Sequence, residues 1–351
     1  MKALVLSGGS GTRLRPLSHS LPKQLLPIAG RPILEHALDG IRRLGITDIG
    51  IIVGAPGSEI EDAIGSGARF GARITYLVQD EPAGLAHAVR VARPFLGDDD
   101  FVMYLGDNVL GGGLEEIAAD FTHRRPAAQL AAYRVPDPWN FGVVELDAGH
   151  RVTRLREKPA EPRSDLALIG VYFFTSAVHR AVDAIRPSAR GELEITDAVQ
   201  WLLDHDEQVR VHEYTGYWRD AGKPEDVLEC NRQLLGELPS RIDGSVDGAS
   251  RLGPRVVVEP GARVVRCSVE GPAIIGAGSV VEDSWIGPYT AIGRDCTVRD
   301  SRVTDSILLD HVSVVGVHGL HGSLVGRRAQ VAGAAGHRLL VGDDTSVEVA
   351  A

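Results

Sequence analysis

Arg13 and Lys23 stand ten residues apart near the N-terminus, and glycine recurs just before them at Gly8, Gly9 and Gly11, with Ser10 and Thr12 interleaved. Glycine lets backbone approach a ligand closely and adopt φ > 0. Successive exposed N–H groups in such a turn form an anion nest. An arginine fork can grip two phosphate oxygens at once, and a lysine arriving from the next loop adds a point charge. This set suits a polyphosphate, and the chemistry it points to is nucleotidyl transfer from a nucleoside triphosphate. A glycine turn alone would serve equally well as an ordinary strand connection; the two cations at this spacing distinguish it. Asp107, in Tyr104-Leu105-Gly106-Asp107-Asn108, and Asp220, in Trp218-Arg219-Asp220-Ala221-Gly222, are carboxylates from distant parts of the chain. Mg²⁺ takes hard oxygen ligands, often one or two carboxylates plus substrate phosphates. The plainer reading of each Asp is a turn cap.

The elements that position these groups alternate. Lys2–Ser7 is a short apolar run ending in glycine and reads as a buried strand. Ile33, Leu34, Ala37, Leu38, Ile41 and Leu44 have helical spacing, with Gly45 as a stop. Strands are expected at 48–53, 73–78 and 101–105, and helices at 60–70 and 85–93. Such βα units imply a parallel sheet covered on both faces, with ligands beyond the carboxyl ends of its strands. The glycine turn and Asp107 both follow strand ends, so they should share a rim. Further strands are expected at 130–144, 151–156, 166–174 and 209–214, and helices at 177–185, 195–205 and 224–235.

Near residue 240 the pattern changes. Ile275-Gly276, Ile286-Gly287 and Ile292-Gly293 are three Ile-Gly pairs, and Ile286, Ile292 and Val298 lie six apart. A six-residue aliphatic period is a solenoid signature, although its phase slips in places; a β-sandwich of short strands is the alternative. The 37 basic residues include only four lysines, Lys2, Lys23, Lys158 and Lys223. A net charge of −10 argues against a general nucleic-acid or anionic-membrane binder. Cys230, Cys267 and Cys296 are scattered, without a CxxC, as suits a reducing cytoplasm. No signal peptide or membrane-length apolar run is read.

Gly8-Gly9-Ser10-Gly11-Thr12-Arg13-Leu14-Arg15-Pro16, followed by Pro22-Lys23-Gln24-Leu25-Leu26-Pro27, resembles the signature of sugar-1-phosphate nucleotidylyltransferases. The Lys-Gln-Leu-Leu-Pro form is similar to that of the glucose-1-phosphate thymidylyltransferases. The resemblance covers roughly residues 1–235, and the hexapeptide tail matches the family's long variant. It implies a Rossmann-like α/β nucleotidyltransferase domain with a mixed, mostly parallel sheet over 1–238, then a left-handed β-helix over 239–351. The implied reaction joins dTTP and α-D-glucose 1-phosphate into dTDP-glucose and pyrophosphate, with Mg²⁺, by direct in-line displacement.

By the same resemblance, Arg13 and Lys23 are catalytic and Asp107 and Asp220 hold the metal. Gly8, Gly9, Gly11, Thr12, Gln24, Gln79 and Gly84 would bind nucleotide. A Gln amide both donates and accepts, as a pyrimidine edge requires. Asn108, Gly142, Glu157, Lys158 and the backbone near Leu168 would bind sugar phosphate. Ala221 stands where the family usually has Thr, and Leu168 where it often has Val. The run Arg190–Asp197 also matches, with no catalytic role assigned; Trp218 could stack on a ligand or belong to the core. A UTP-dependent or other hexose-1-phosphate enzyme, an acyl-transferring tail using His318 or His321, and a non-catalytic regulatory subunit are the rival readings. A homo-oligomer is expected from the flat faces of the coil. The family resemblance suggests deoxysugar supply.

Overall fold

The computed structural model describes residues 1–9, 11–333 and 338–349; Ser10 of the glycine turn lies outside the described residues. Along the chain come β1 (Lys2–Leu6), the short pair β2 (Pro27–Ile28) and β3 (Arg31–Pro32), and α1 (Ile33–Arg43). Next are β4 (Asp48–Val53), α2 (Glu59–Ile64), β5 (Arg73–Val78), α3 (Leu85–Val91), α4 (Arg93–Leu96), β6 (Phe101–Leu105) and β7 (Asn108–Leu110). Then follow α5 (Leu114–Arg124), β8 (Ala128–Arg134), β9 (Gly142–Leu146), β10 (Val152–Glu157), β11 (Leu166–Phe174), α6 (Ala177–Ala184) and α7 (Ile195–Asp204). The α/β part closes with β12 (Val209–Glu213), β13 (Trp218–Asp220) and α8 (Pro224–Glu237). Among the described residues no helix is long and apolar enough to cross a membrane.

Two compact units emerge, and neither is continuous in sequence. One comprises Met1–Gly9 and Leu34–Asp220; the other comprises Ser10–Ile33 and Ala221–Ala351. The glycine turn therefore leaves the first unit at Gly9.

The first unit is built on a mixed sheet of order β10-β9-β11-β6-β1-β4-β5, with β8 beside β11 and β12 beside β8. β6, β1, β4 and β5 run parallel, while β11 is antiparallel to β6 and β8. Every residue of β11 is buried, as a strand covered on both faces requires. Leu4, Met103, Leu130 and Phe174 pack with Val89, Val178 and Val199 from α3, α6 and α7 in one core. Lys2 serves the fold: its ammonium donates to the carbonyls of Phe95 (2.6 Å) and Leu96 (3.3 Å), at the end of α4, and pairs with Asp99.

In the second unit the tail winds into three parallel sheets, consistent with a left-handed β-helix. Val256, Val264, Val269, Ile275, Val281, Ile286, Ile292 and Val298 fill its interior. All three isoleucines of the Ile-Gly pairs are among them. Ile275 stands against Ile292, 17 residues on, and Ile292 against Leu308, 16 residues on. A coil of three full hexads would need eighteen, so the period must slip once or twice per turn. Several corners are made by Asp in the left-handed region, including Asp283, Asp295 and Asp305.

Candidate active site

In the first unit, parallel strands bring three candidate groups to one rim: Gly8 follows β1, Gln79 follows β5 and Asp107 follows β6. Ser7 is buried, and its hydroxyl has no hydrogen-bond partner among the described residues. Gln79 lies beside Gly8, its Oε1 3.7 Å from where a Cβ on Gly8 would stand. Its Nε2 donates to the Gly84 carbonyl (3.2 Å) and lies 3.0 Å from His87 Nδ1. The donor end of this amide is thus engaged by the protein, which modifies the expectation of a group that both donates and accepts; among the described residues the acceptor end makes no hydrogen bond. Gly84, at φ 104°, starts α3, and a Cβ there would come 2.4 Å from the Leu193 carbonyl oxygen. Two backbone bonds, Ala86 N to Leu193 O and Leu193 N to Ala83 O, fix that contact. The structure gives Gly84 a packing role beyond any approach to a base.

β7 and β13 form a two-stranded antiparallel ladder that sets Asp220 opposite Asn108, the neighbour of Asp107. One rim thus gathers two carboxylates that are 113 positions apart in sequence. Asp220 Oδ1 is shielded from solvent. Asn108 is buried, donates from Nδ2 to Asp107 Oδ1 (3.0 Å) and accepts at Oδ1 from the Trp218 indole (2.7 Å). These two contacts fix which way its amide points. Trp218 packs between Tyr133 and Phe141, at ring separations of 5.6 and 5.5 Å. It belongs to the core, and its N–H orients Asn108. Among the described residues no group of three or more His, Cys, Asp or Glu is placed to hold a metal ion. Two carboxylates match an ion that draws its other ligands from phosphate and water.

The sugar-phosphate candidates converge as well. A Cβ on Gly142 would stand 3.2 Å from Glu157 Oε2, 3.3 Å from Leu168 Cδ1 and 2.8 Å from Thr196 Cγ2. Gly142 and Glu157 pair across β9 and β10. Lys158 has φ 39°, an uncommon conformation for a side-chain-bearing residue, and its N–H donates to the Phe141 carbonyl (3.0 Å). Burial pushes the Glu157 carboxyl above the usual range, and nearby Glu194 adds to it; Lys158, Arg190 and the Thr196 hydroxyl oppose the rise. Arg190 lies 3.4 Å from both Glu157 and Glu194. A cavity of about 1010 Å³ opens beside Glu157, lined also by Glu194, Asp197 and Arg156. Arg190, Glu194, Thr196 and His87 are missing from the sequence-derived set. The signal for the first three was the family-like run 190–197.

In the second unit, Gly11 adopts φ 59° and starts a one-turn 3₁₀ helix, Thr12–Leu14, which carries Thr12 and Arg13 on its exposed side. Among the described glycines of the turn it is the one with positive φ. Lys23 folds back onto it: a Cβ on Gly11 would be 3.3 Å from Lys23 Cβ. Ser18 closes the loop by donating to the Gly11 carbonyl (2.7 Å). Gln24 is buried, and its Oε1 has no hydrogen-bond partner among the described residues. His318 and His321 lie exposed on a coil strand, with Asp300 3.9 Å from His318.

Comparison with known proteins shows the family of the chain. Residues 2–237 match the nucleotidyl transferase family model. Glucose-1-phosphate thymidylyltransferases of Streptomyces antibioticus and Streptomyces griseus are each 50% identical to this chain, over 99% of its length and 99% of theirs. A crystal structure assigned as a glucose-1-phosphate thymidylyltransferase of Bacillus anthracis, in complex with a sucrose, is 36% identical and superposes with a TM-score of 0.62, covering 66% of this chain and 94% of its own. With a two-carboxylate rim, a cation-bearing glycine turn and relatives matched end to end, the chain belongs to the nucleotidyl transferase family and is a sugar-1-phosphate nucleotidyltransferase of the glucose-1-phosphate thymidylyltransferase type.

Proposed function

We propose that the enzyme transfers a thymidylyl group from dTTP to α-D-glucose 1-phosphate. A phosphate oxygen of the sugar phosphate attacks the α-phosphorus. The bond from that phosphorus to the bridging oxygen breaks, and pyrophosphate leaves with the electron pair. Positioning and charge stabilisation supply the catalysis. Arg13 follows the leaving pyrophosphate, and Lys23 stabilises charge on the α-phosphate. Gly8, Gly9, Gly11 and Thr12 offer backbone donors to the phosphates. Glu157 accepts from sugar hydroxyls, and Lys158 holds the sugar phosphate, with Asn108, Gly142 and Leu168 shaping the same pocket. Asp107 and Asp220 would hold Mg²⁺, which neutralises charge on the phosphate oxygens when bound.

The observation that supports this reading is the β7–β13 ladder, which sets Asp220 opposite Asn108, the residue after Asp107, on the first unit's rim. Gln79 sharpens the base. With Nε2 engaged by Gly84 and His87, its Oε1, which makes no hydrogen bond among the described residues, can accept an N–H of the base, such as that at N3 of thymine or uracil. The choice of thymine over uracil rests on the Streptomyces relatives and on Lys23-Gln24-Leu25-Leu26-Pro27. The test is product formation across dTTP, UTP, CTP, ATP and GTP, each with several hexose 1-phosphates. Turnover should be highest with dTTP and glucose 1-phosphate; a clear UTP preference overturns the base assignment. Lys23→Ala should lower kcat by about 10²–10³ without unfolding the chain, and near-normal turnover refutes the site.

A further inference from the structure

The segment that carries Arg13 and Lys23 has little means of holding itself. It consists of three single-turn 3₁₀ helices, Thr12–Leu14, Leu17–His19 and Lys23–Leu25, and the two-residue pair β2–β3. Such turns have poor hydrogen-bond geometry and depend on outside support. The segment buries Leu14, Leu17 and Leu26, and in the second unit the far end of the chain adds polar support. Ser20, between Arg13 and Lys23, donates its hydroxyl to Asp343 Oδ2 (2.8 Å), and its carbonyl accepts from Arg327 Nη2 (2.8 Å). Arg327 Nε in turn pairs with Asp343 Oδ2 (3.0 Å), and Asp343 Oδ1 accepts from the Arg327 backbone N–H (2.7 Å). The Asp343 side chain is itself 5% exposed, while Ser20 stands at the surface. Pro16 rests against Gly342, its Cβ 3.2 Å from where a Cβ on that glycine would be.

The same segment is tied at two further places. Gly30 sits on Ile274 of the coil, whose Cδ1 lies 2.8 Å from where a Cβ on Gly30 would be. Asn231 of α8, fully buried, accepts from the Ala29 N–H (2.9 Å) and donates to the Tyr289 carbonyl (3.0 Å), linking β2–β3 to a coil corner.

We propose that Arg327 and Asp343, in the last turns of the β-helix, are positioning residues for the phosphate-gripping segment. They pin Ser20 and thereby set where Arg13 and Lys23 stand. The tail is then part of the catalytic apparatus in addition to any role in assembly. This inference rests on the proposed roles of Arg13 and Lys23.

The experiment compares four single variants of the full-length enzyme in steady-state kinetics, with thermal midpoints measured alongside. Ser20→Ala removes one arm of the clamp at an exposed position. Arg327→Lys keeps a charge for Asp343 but loses the fork that also reaches the Ser20 carbonyl. Asp343→Asn weakens both contacts. Arg328→Ala is the control, because Arg328 pairs with the exposed Asp344 in the same turns and has no bond to residues 11–33 among those described. The expected result is a fall in kcat of about five-fold or more for Ser20→Ala and Arg327→Lys, with a raised KM for the triphosphate. KM for the sugar 1-phosphate should be unchanged and the thermal midpoint near that of the parent. Asp343→Asn should fall further, and adding Ser20→Ala to it should cost little more. Parental kinetics in Ser20→Ala and Arg327→Lys overturn the proposal, as does an equal loss in Arg328→Ala. Lys23→Ala separates the two ideas: if it is inactive while the clamp variants are normal, only the positioning proposal falls; if it is active, the site reading itself falls.

Discussion

Glu157 is a carboxylate under opposing pulls, and its pH response can be worked out from them. Burial and Glu194 raise its pKa, while Lys158, Arg190 and Thr196 lower it, with a net rise. In the proposed role it accepts from sugar hydroxyls as the anion. KM for the sugar 1-phosphate should therefore climb as pH falls through the raised pKa, beginning at a higher pH than an ordinary glutamate would give. Arg190→Ala removes a favourable cation and should move this limb to higher pH; Glu194→Gln removes a repulsion and should move it to lower pH. Measuring KM against pH in both variants checks the sign, and a shift of both in one direction contradicts the pairing. Linkage has the same root: a raised folded pKa means stability present at low pH is lost as pH rises through that pKa, and Glu157→Gln should flatten that loss. The types of these residues were legible in the sequence, since Glu157 and Lys158 stood in a recognisable motif. The control exerted by Arg190 and Glu194 was not, because it depends on a loop returning across 33 positions to face Glu157.

The two-strand ladder and the loop before α3 are the elements on which the rim depends. Trp218→Phe keeps a ring between Tyr133 and Phe141 but leaves Asn108 Oδ1 buried with its donor gone. The loss of such a bond costs about 1–3 kcal/mol. Because Asn108 also donates to Asp107, a ligand in the proposed Mg²⁺ site, this variant should need more Mg²⁺ for half-maximal turnover as well as melting earlier. An unchanged Mg²⁺ requirement would show that Asn108 does not govern Asp107. Gly84→Ala meets two obstacles, a positive φ and the Leu193 carbonyl 2.4 Å from the new Cβ. It should destabilise the chain by about 1–3 kcal/mol or more, read from denaturant midpoints, while Gly97→Ala, also at positive φ but with open space around it, should cost less. From sequence, most strands and helices could be read from apolar spacing, as in α1. The helix at 114–124 and the antiparallel course of β11 could not. α5 follows three glycines that look like an uninterrupted loop, and strand direction depends on which partner lies alongside, which no local pattern encodes.

At the scale of the whole chain, the slipped six-residue period of the tail has a simple origin in coils of 16 or 17 residues. What sequence could not reveal is that one outer face of the coil is already covered. Val257, Ile274, Ala291, Ile307 and Leu324 stack in register on the side opposite the coil interior, yet each is no more than 4% exposed. That face is therefore closed to self-association, and an oligomer would have to use another. The interior offers its own probe. Cys267 and Cys296 lie inside the coil, and Cys230 is buried in α8, so all three thiols report on the second unit. Burial raises the Cys267 thiol and pushes that of Cys296 up to about 12. The thiolate is the reactive form. At pH 8 the native chain should therefore be nearly silent to a disulfide-exchange reagent, and three thiols per chain should react once denaturant opens the coil. Cys267→Ser and Cys296→Ser, followed singly, should show Cys296 as the slower of the two coil thiols. Rapid labelling of either in the native enzyme would mean that the coil opens far more readily than its packed interior allows.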